Sequence, residues 1–236
     1  GVVCVLVGQG DEILAALREL VCDAPRPVLE IVHASEVVTM EDNAATAFKE
    51  KKDSSLTVGL NLVKDGKGDA FVSAGSTGAL LSAATLVTKR IRGIRRAAMA
   101  PQLPVPGGAI LIDAGATAEC TPEYLLQFAF MGSYYAEHIQ GKPQPRVGLL
   151  NIGAEEGKGT ALQKETHALL KKADEEGRIH FTGNVEAREA VLGAVDVIVA
   201  AGYSGNIFLK TLEGTALFLA GEMKKMFKKN LLTKLS

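Results

Sequence analysis

At 236 residues, with 47% hydrophobic and 22% charged residues, the chain suits one large α/β domain or a core with a small appendage, and it is not disordered. A formal net charge of −1 argues against a general nucleic-acid binder, which would be clearly basic. Three scattered cysteines (Cys4, Cys22, Cys120) form no disulfide framework and point to a reducing cytoplasm; no secretory signal or membrane-length apolar run of roughly 20 residues is visible.

In chain order, continuous apolar runs at 2–7, 28–32, 70–74, 109–114, 147–152 and 195–201, with a weaker one at 179–182, predict strands covered on both faces, as in a parallel sheet. Helical segments are expected between and after them, at 11–22, 42–63, 78–92, 122–140, 159–176, 185–192 and 206–229. Pro122 after Thr121 suits a first helical turn. The alternation predicts a layered α/β/α fold in one domain over 1–236. The three prolines of 101–108 mark a stiff connector or lid. Gly1 opens directly into a strand and the chain stops in a lysine-rich stretch, so the sequence reads as a fragment.

Glycine closes four of the apolar runs, at Ser73-Ala74-Gly75-Ser76-Thr77-Gly78, Asp113-Ala114-Gly115-Ala116-Thr117, Asn151-Ile152-Gly153-Ala154-Glu155 and Ala201-Gly202-Tyr203-Ser204-Gly205-Asn206. A glycine-rich turn leaving a buried strand exposes backbone N–H groups that bind phosphate. Four such turns at one end of one sheet would enclose an anion pocket. In the first turn, Ser76 and Thr77 sit at a helix start, where they either bind a phosphoryl oxygen or simply cap the helix. Lys158, between Gly157 and Gly159, is either an anion-binding ammonium or a solvated lysine. Asn206 either caps the last helix or donates its amide to a substrate oxygen, and both can hold. Asp113 either interacts with a ligand or binds turn amides.

Other features carry less. Gly8-Gln9-Gly10 lacks the third glycine of a dinucleotide fingerprint, and the four histidines show no metal-ligand spacing, so neither cofactor nor metal is expected. Cys120 has no histidine near it in sequence and reads as an inert small side chain. Phe208, Leu212, Ala216, Leu219, Met223, Met226 and Phe227 recur at helical spacing, with Lys224, Lys225, Lys228 and Lys229 crowding the distal end. Such a segment reads as a core or dimer helix whose end meets an anionic membrane, an acidic partner or solvent.

Taken together, these blocks resemble the PlsX family of bacterial phosphate acyltransferases. The resemblance rests on Ser73–Ala79, Asp113–Ala116, Arg146–Gly153, Phe181–Arg188, and Gly202–Asn206 with Leu209–Gly214, in the family's order over essentially the whole chain. It implies a fold like isocitrate dehydrogenase and phosphotransacetylase. It also implies transfer of a long-chain acyl group from acyl carrier protein to inorganic phosphate, giving acyl phosphate for phospholipid synthesis.

On this resemblance Lys158 and Asn206 are catalytic. Ser73, Gly75, Ser76, Thr77, Gly78, Asp113, Gly115, Thr117, Gly153, Ser204 and Gly205 bind phosphate or substrate. Phe227, Leu231, Leu232 and Leu235 touch the membrane, and the protein is a cytoplasmic, peripherally membrane-associated homodimer. Three positions depart from the family pattern: Thr117 in place of Asn, Ala201 in place of Asp, and Ala154 where Thr is frequent. The family's opening Asp-Ala-Met-Gly-Gly-Asp and its C-terminal Lys-Ala-His-Gly are absent. A phosphotransacetylase-like enzyme using acetyl-coenzyme A and a non-catalytic membrane-associated scaffold are the alternatives.

Overall fold

A computed structural model describes residues 2–20 and 28–227, which divide between Ala97 and Ala98 into two compact units. The first unit contains β1 (Val3–Gly8), α1 (Gly10–Glu19), β2 (Val28–His33), α2 (Ala47–Glu50), α3 (Ser55–Lys64) and α4 (Thr77–Val87). Strands β1 and β2 run parallel, in register from Val3 opposite Val28 to Gly8 opposite His33. Leu56 and Leu60 of α3 pack on Ala79 and Ala83 of α4, with Phe71 against this small core.

Three expectations fail in this unit. The helix expected over 42–63 is split in two, because the Ser54 side chain accepts the Thr57 N–H and starts a new helix. The run 70–74 is not a strand: Phe71 alone is anchored, and Val72 is 92% exposed. An apolar run makes a buried strand only where both faces are covered. Helix α4 also stops at Val87, short of residue 92, and Lys89 beyond it turns to a φ of 68°.

The second unit contains β3 (Ile110–Ile112), α5 (Pro122–His138), β4 (Arg146–Leu150), α6 (Ala161–Glu175), β5 (His180–Val185), α7 (Ala187–Val191), β6 (Val197–Val199) and α8 (Gly202–Phe227). Its four strands are all parallel, in the order β3-β6-β4-β5. Alternation along each strand sorts the core into two faces. Ile110, Ile112, Val147, Leu149, Val197 and Val199 meet Leu125, Phe128 and Ala129 of α5 and Leu170 and Ala173 of α6. Leu111, Ile198 and Val185 face the other way, onto Ala190 of α7 and Phe208, Leu209 and Leu212 of α8. Helices therefore cover both faces of the sheet, giving the expected α/β/α layering.

The proline-rich stretch 101–108, expected as a stiff connector or lid, is tied to the edge of the sheet. Leu103 is 1% exposed within the second face of the core. Leu103 N–H donates to the Ala109 carbonyl at 2.8 Å, and Leu111 N–H to that of Pro101 at 3.1 Å. The segment thus satisfies the outer edge of β3, which would otherwise expose unpaired backbone.

Candidate functional site

Because β3, β6 and β4 are parallel neighbours, the turns after Ile112, Leu150 and Val199 leave the sheet at the same, carboxyl edge. Strand spacing places the outer two about 10 Å apart. Three of the four glycine turns are therefore gathered as expected. The fourth, Ser73–Gly78, belongs to the first unit and follows no strand.

The turn after β3 is organised around Asp113, which is fully buried. Its Oδ1 accepts N–H bonds from Met99 at 2.9 Å, Gly115 at 3.1 Å and Ala116 at 3.0 Å, and its Oδ2 accepts from Thr117 at 2.7 Å. The amides of this turn point at the protein's own carboxylate and are not presented to a phosphate. Asp113, Gly115 and Thr117 are thus joined to one another by hydrogen bonds within the loop.

Helix α8 packs directly on this turn. Gly202 N–H donates to the Thr117 carbonyl at 3.1 Å. A side-chain carbon at Gly205 would collide with the Asp113 carbonyl oxygen, and one at Gly202 with the Thr117 carbonyl oxygen. Close backbone approach is what these glycines provide. The helix begins at Gly202, so Asn206 lies inside it and is not its cap. Its Nδ2 donates to the Ala114 carbonyl at 3.2 Å instead. The second N–H of that amide has no acceptor among the described residues.

Ser204 Oγ donates to the Ala201 carbonyl at 3.0 Å. The N–H groups of Tyr203 and Ser204 find no acceptor among the described residues, leaving two donors at the start of a 26-residue helix. Ala201, 9% exposed, offers only its backbone carbonyl here.

The turn after β4 carries Lys158. Gly153 is buried, and a side-chain carbon there would press on Lys158 Cγ at 2.9 Å, so the lysine stem lies across the glycine. The Lys158 ammonium has no ion-pair partner among the described residues. Its neighbour Glu156 is drawn away by Lys171, Nζ to Oε1 2.9 Å. That hydrogen bond, then the Lys171 charge, lowers the Glu156 carboxyl below its ordinary range. Glu155 lies over the same glycine, its Oε2 2.8 Å from where that side-chain carbon would stand, so the Lys158 ammonium is unpaired in a loop that also carries an acidic side chain. Nearby is an anion-favouring helix start, that of α6, whose Thr160 and Gln163 form a capping box.

In the first unit, Ser76 Oγ accepts the Ala79 N–H at 3.4 Å, and Ser73 Oγ accepts the Gly75 N–H at 3.2 Å. The capping alternative describes Ser76. The Thr77 hydroxyl is unengaged among the described residues, and Gly78 lies against Ala44 of the same unit.

At the distal end of α8, Leu217, Phe218, Leu219, Met223, Met226 and Phe227 are exposed. Leu231, Leu232 and Leu235 lie outside the described residues. No helix among the described residues is long and apolar enough to cross a membrane, and none of their His, Cys, Asp and Glu side chains cluster in a group able to hold a metal ion.

Asn151 and Asn184 are the residues that sequence reasoning missed. Asn151 Nδ2 donates to the Lys158 carbonyl at 3.1 Å, and Asn184 Nδ2 to the Glu155 carbonyl at 2.8 Å. A carboxamide just past a strand, or on the adjacent strand near its carboxyl end, is the signal that points to them.

A family described as "Fatty acid synthesis protein" matches residues 1–236. A phosphate acyltransferase of Exiguobacterium sibiricum is 50% identical over 91% of this chain and 64% of its own length. One of Alkaliphilus oremlandii is 49% identical over 90% of this chain and 63% of its own. The chain thus spans a little under two thirds of the length of these relatives.

Among solved structures, a phosphotransacetylase from Streptococcus pyogenes superposes with a TM-score of 0.62 at 19% identity, covering 89% of this chain and 73% of that one. The EutD phosphotransacetylase from Staphylococcus aureus gives 0.60 at 18%, covering 90% and 74%. At that identity the likeness establishes the fold.

Proposed function

Since the chain belongs to the fatty acid synthesis protein family, the PlsX family, we propose that it acts as a phosphate acyltransferase. It transfers a long-chain acyl group from acyl carrier protein to inorganic phosphate, and the acyl phosphate serves phospholipid synthesis. The observation that carries this reading is the unpaired Lys158 ammonium on the edge where α8 presents the unengaged N–H groups of Tyr203, Ser204 and Asn206.

In this reading Lys158 holds the phosphate and offsets its charge as an oxygen attacks the thioester carbonyl. The tetrahedral oxyanion takes a hydrogen bond from Asn206 Nδ2, a donor whose kind is worth about 2.7–4 kcal/mol in the transition state. The C–S bond then breaks and the electron pair leaves on sulfur. A thiol of pKa about 8.5 needs no strong acid to depart. Phosphate is itself the nucleophile, so no serine–histidine pair is required.

Asp113, Gly115, Thr117 and Gly205 act through the loop they build, and Gly153 by making room for Lys158. Ser73–Gly78, taken by itself, is a second anion-binding turn through Thr77. The exposed apolar end of α8, with Lys224 and Lys225 beside it, suits a homodimer contact or an anionic membrane surface for a cytoplasmic, peripherally attached enzyme.

The test is thiol release from palmitoyl–acyl carrier protein and, in parallel, from acetyl-coenzyme A, each with and without phosphate. Phosphate-dependent release from the carrier substrate alone supports the reading. Release from acetyl-coenzyme A alone would assign phosphotransacetylase chemistry, and silence with both would leave a scaffold.

A further inference from the structure

Asn151 and Asn184, which no step above uses, hold the loop that carries Lys158. Asn151 joins its two ends, with Oδ1 accepting the Ile152 N–H at 2.8 Å and Nδ2 donating to the Lys158 carbonyl at 3.1 Å. Asn184 reaches its middle, where the Glu155 carbonyl accepts from Nδ2 at 2.8 Å. That same carbonyl accepts the Lys158 N–H at 3.1 Å. One oxygen therefore ties the Asn184 amide to the Lys158 backbone. Asn184 is paired with Leu149 in the β4–β5 ladder, so its own backbone is fixed by the sheet.

The other end of Asn184 is informative. Its Oδ1 is buried with no hydrogen-bond partner among the described residues. A buried acceptor left unpaired is destabilising. Rotating the amide would bring Oδ1 against the Glu155 carbonyl, two acceptors face to face, so the orientation is set. An apolar side chain would remove the orphan and suit stability better. A position that keeps a local cost in order to hold a loop donor in place is the pattern of a functional constraint.

We propose that Asn184 is a positioning residue for acyl transfer. By donating to the Glu155 carbonyl it fixes the 155–158 turn, and with it the direction in which Lys158 offers its ammonium to phosphate. The inference rests on Lys158 being the phosphate-holding cation.

The experiment compares the protein with its Asn184→Leu and Asn184→Asp variants for phosphate KM, kcat and Tm. Leucine removes donor and orphan together; aspartate keeps the shape without the donor. The expected result is a phosphate KM raised about 10-fold in both, the scale of one lost hydrogen bond, with Tm kept or raised in Asn184→Leu. In phosphate binding measured by calorimetry, which needs no turnover, adding Lys158→Ala to either should produce no further loss beyond Lys158→Ala alone. A parental phosphate KM in whichever variant folds, or losses that simply add, would overturn the proposal. Lys158→Ala at the parental rate would overturn the reading of Lys158 and this inference with it. An inactive Lys158→Ala beside parental Asn184 variants would overturn this inference alone.

Discussion

Asn206 donates its side-chain amide to the carbonyl of Ala114, 92 residues earlier, at 3.2 Å. The bond fixes the amide at the carboxyl edge of the sheet with one N–H still to give. It also joins the turn after β3 to the first turns of α8, so the proposed oxyanion donor and the loop beneath it are directly bonded.

Replacing Asn206 with Ala should lower kcat by about 10²–10³-fold, the effect of losing one oxyanion donor. Far-ultraviolet circular dichroism should be unchanged, because the residue is exposed and lies within a long helix. Steady-state kinetics with the long-chain substrate checks this, and an unchanged kcat would remove Asn206 from the chemistry.

Lys158→Ala should abolish measurable turnover while leaving Tm within a few degrees, since the side chain is exposed and makes no ion pair among the described residues. Exposed substitutions of this kind usually change stability by about 0.5 kcal/mol or less. Turnover near the parental rate would exclude Lys158.

Gly205→Ala should be destabilising by about 1–3 kcal/mol or more, the usual scale of forced overpacking. The added methyl meets the Asp113 carbonyl oxygen, which cannot retreat because Asp113 anchors four backbone N–H groups. Denaturant unfolding measures it, and parental stability would mean that α8 can slide away from the turn.

Acid stability should depend on Asp196, which sits before β6 at the opposite end of the sheet. Burial pushes this carboxyl up, but hydrogen bonds from the Arg146 guanidinium and N–H, the Arg146 charge and a hydrogen bond from Lys142 outweigh it and hold it at about 2. A folded-state pKa below the ordinary value of 3.8 stabilises the protein above about pH 4, and that contribution is lost as pH falls towards 2. Tm measured against pH should fall across this window and fall less in Asp196→Asn. Identical slopes would contradict the assignment.

How much of this was legible in the sequence depends on how local each signal is. The apolar triplets of β3 and β6 and the glycines that follow them identify strands and turns, because a buried parallel strand needs nothing beyond its own residues to be recognised. The exposed Val72 defeats the same rule, since whether a face is covered is a tertiary fact; the Ser54 cap, which splits the helix expected over 42–63, is a local signal. Leu103 is hidden within a proline-rich segment for the same reason. Lys158 and Asn206 are readable as candidates. For Asp113 the sequence allows two readings, a ligand contact or bonds to turn amides, and the second describes its bonds to the Gly115, Ala116 and Thr117 N–H groups, all within four residues. A carboxamide near the end of β5 marks Asn184 as a candidate, but its partner, the Glu155 carbonyl 29 residues away, is set by the fold.

The most direct measurement of the central claim is the acyl product itself. The protein is incubated with palmitoyl–acyl carrier protein at increasing phosphate, and acyl phosphate is trapped with hydroxylamine. The account predicts palmitoyl hydroxamate that rises with phosphate, equals the thiol released and disappears in Lys158→Ala. Thiol release matched by free fatty acid and indifferent to phosphate would contradict it.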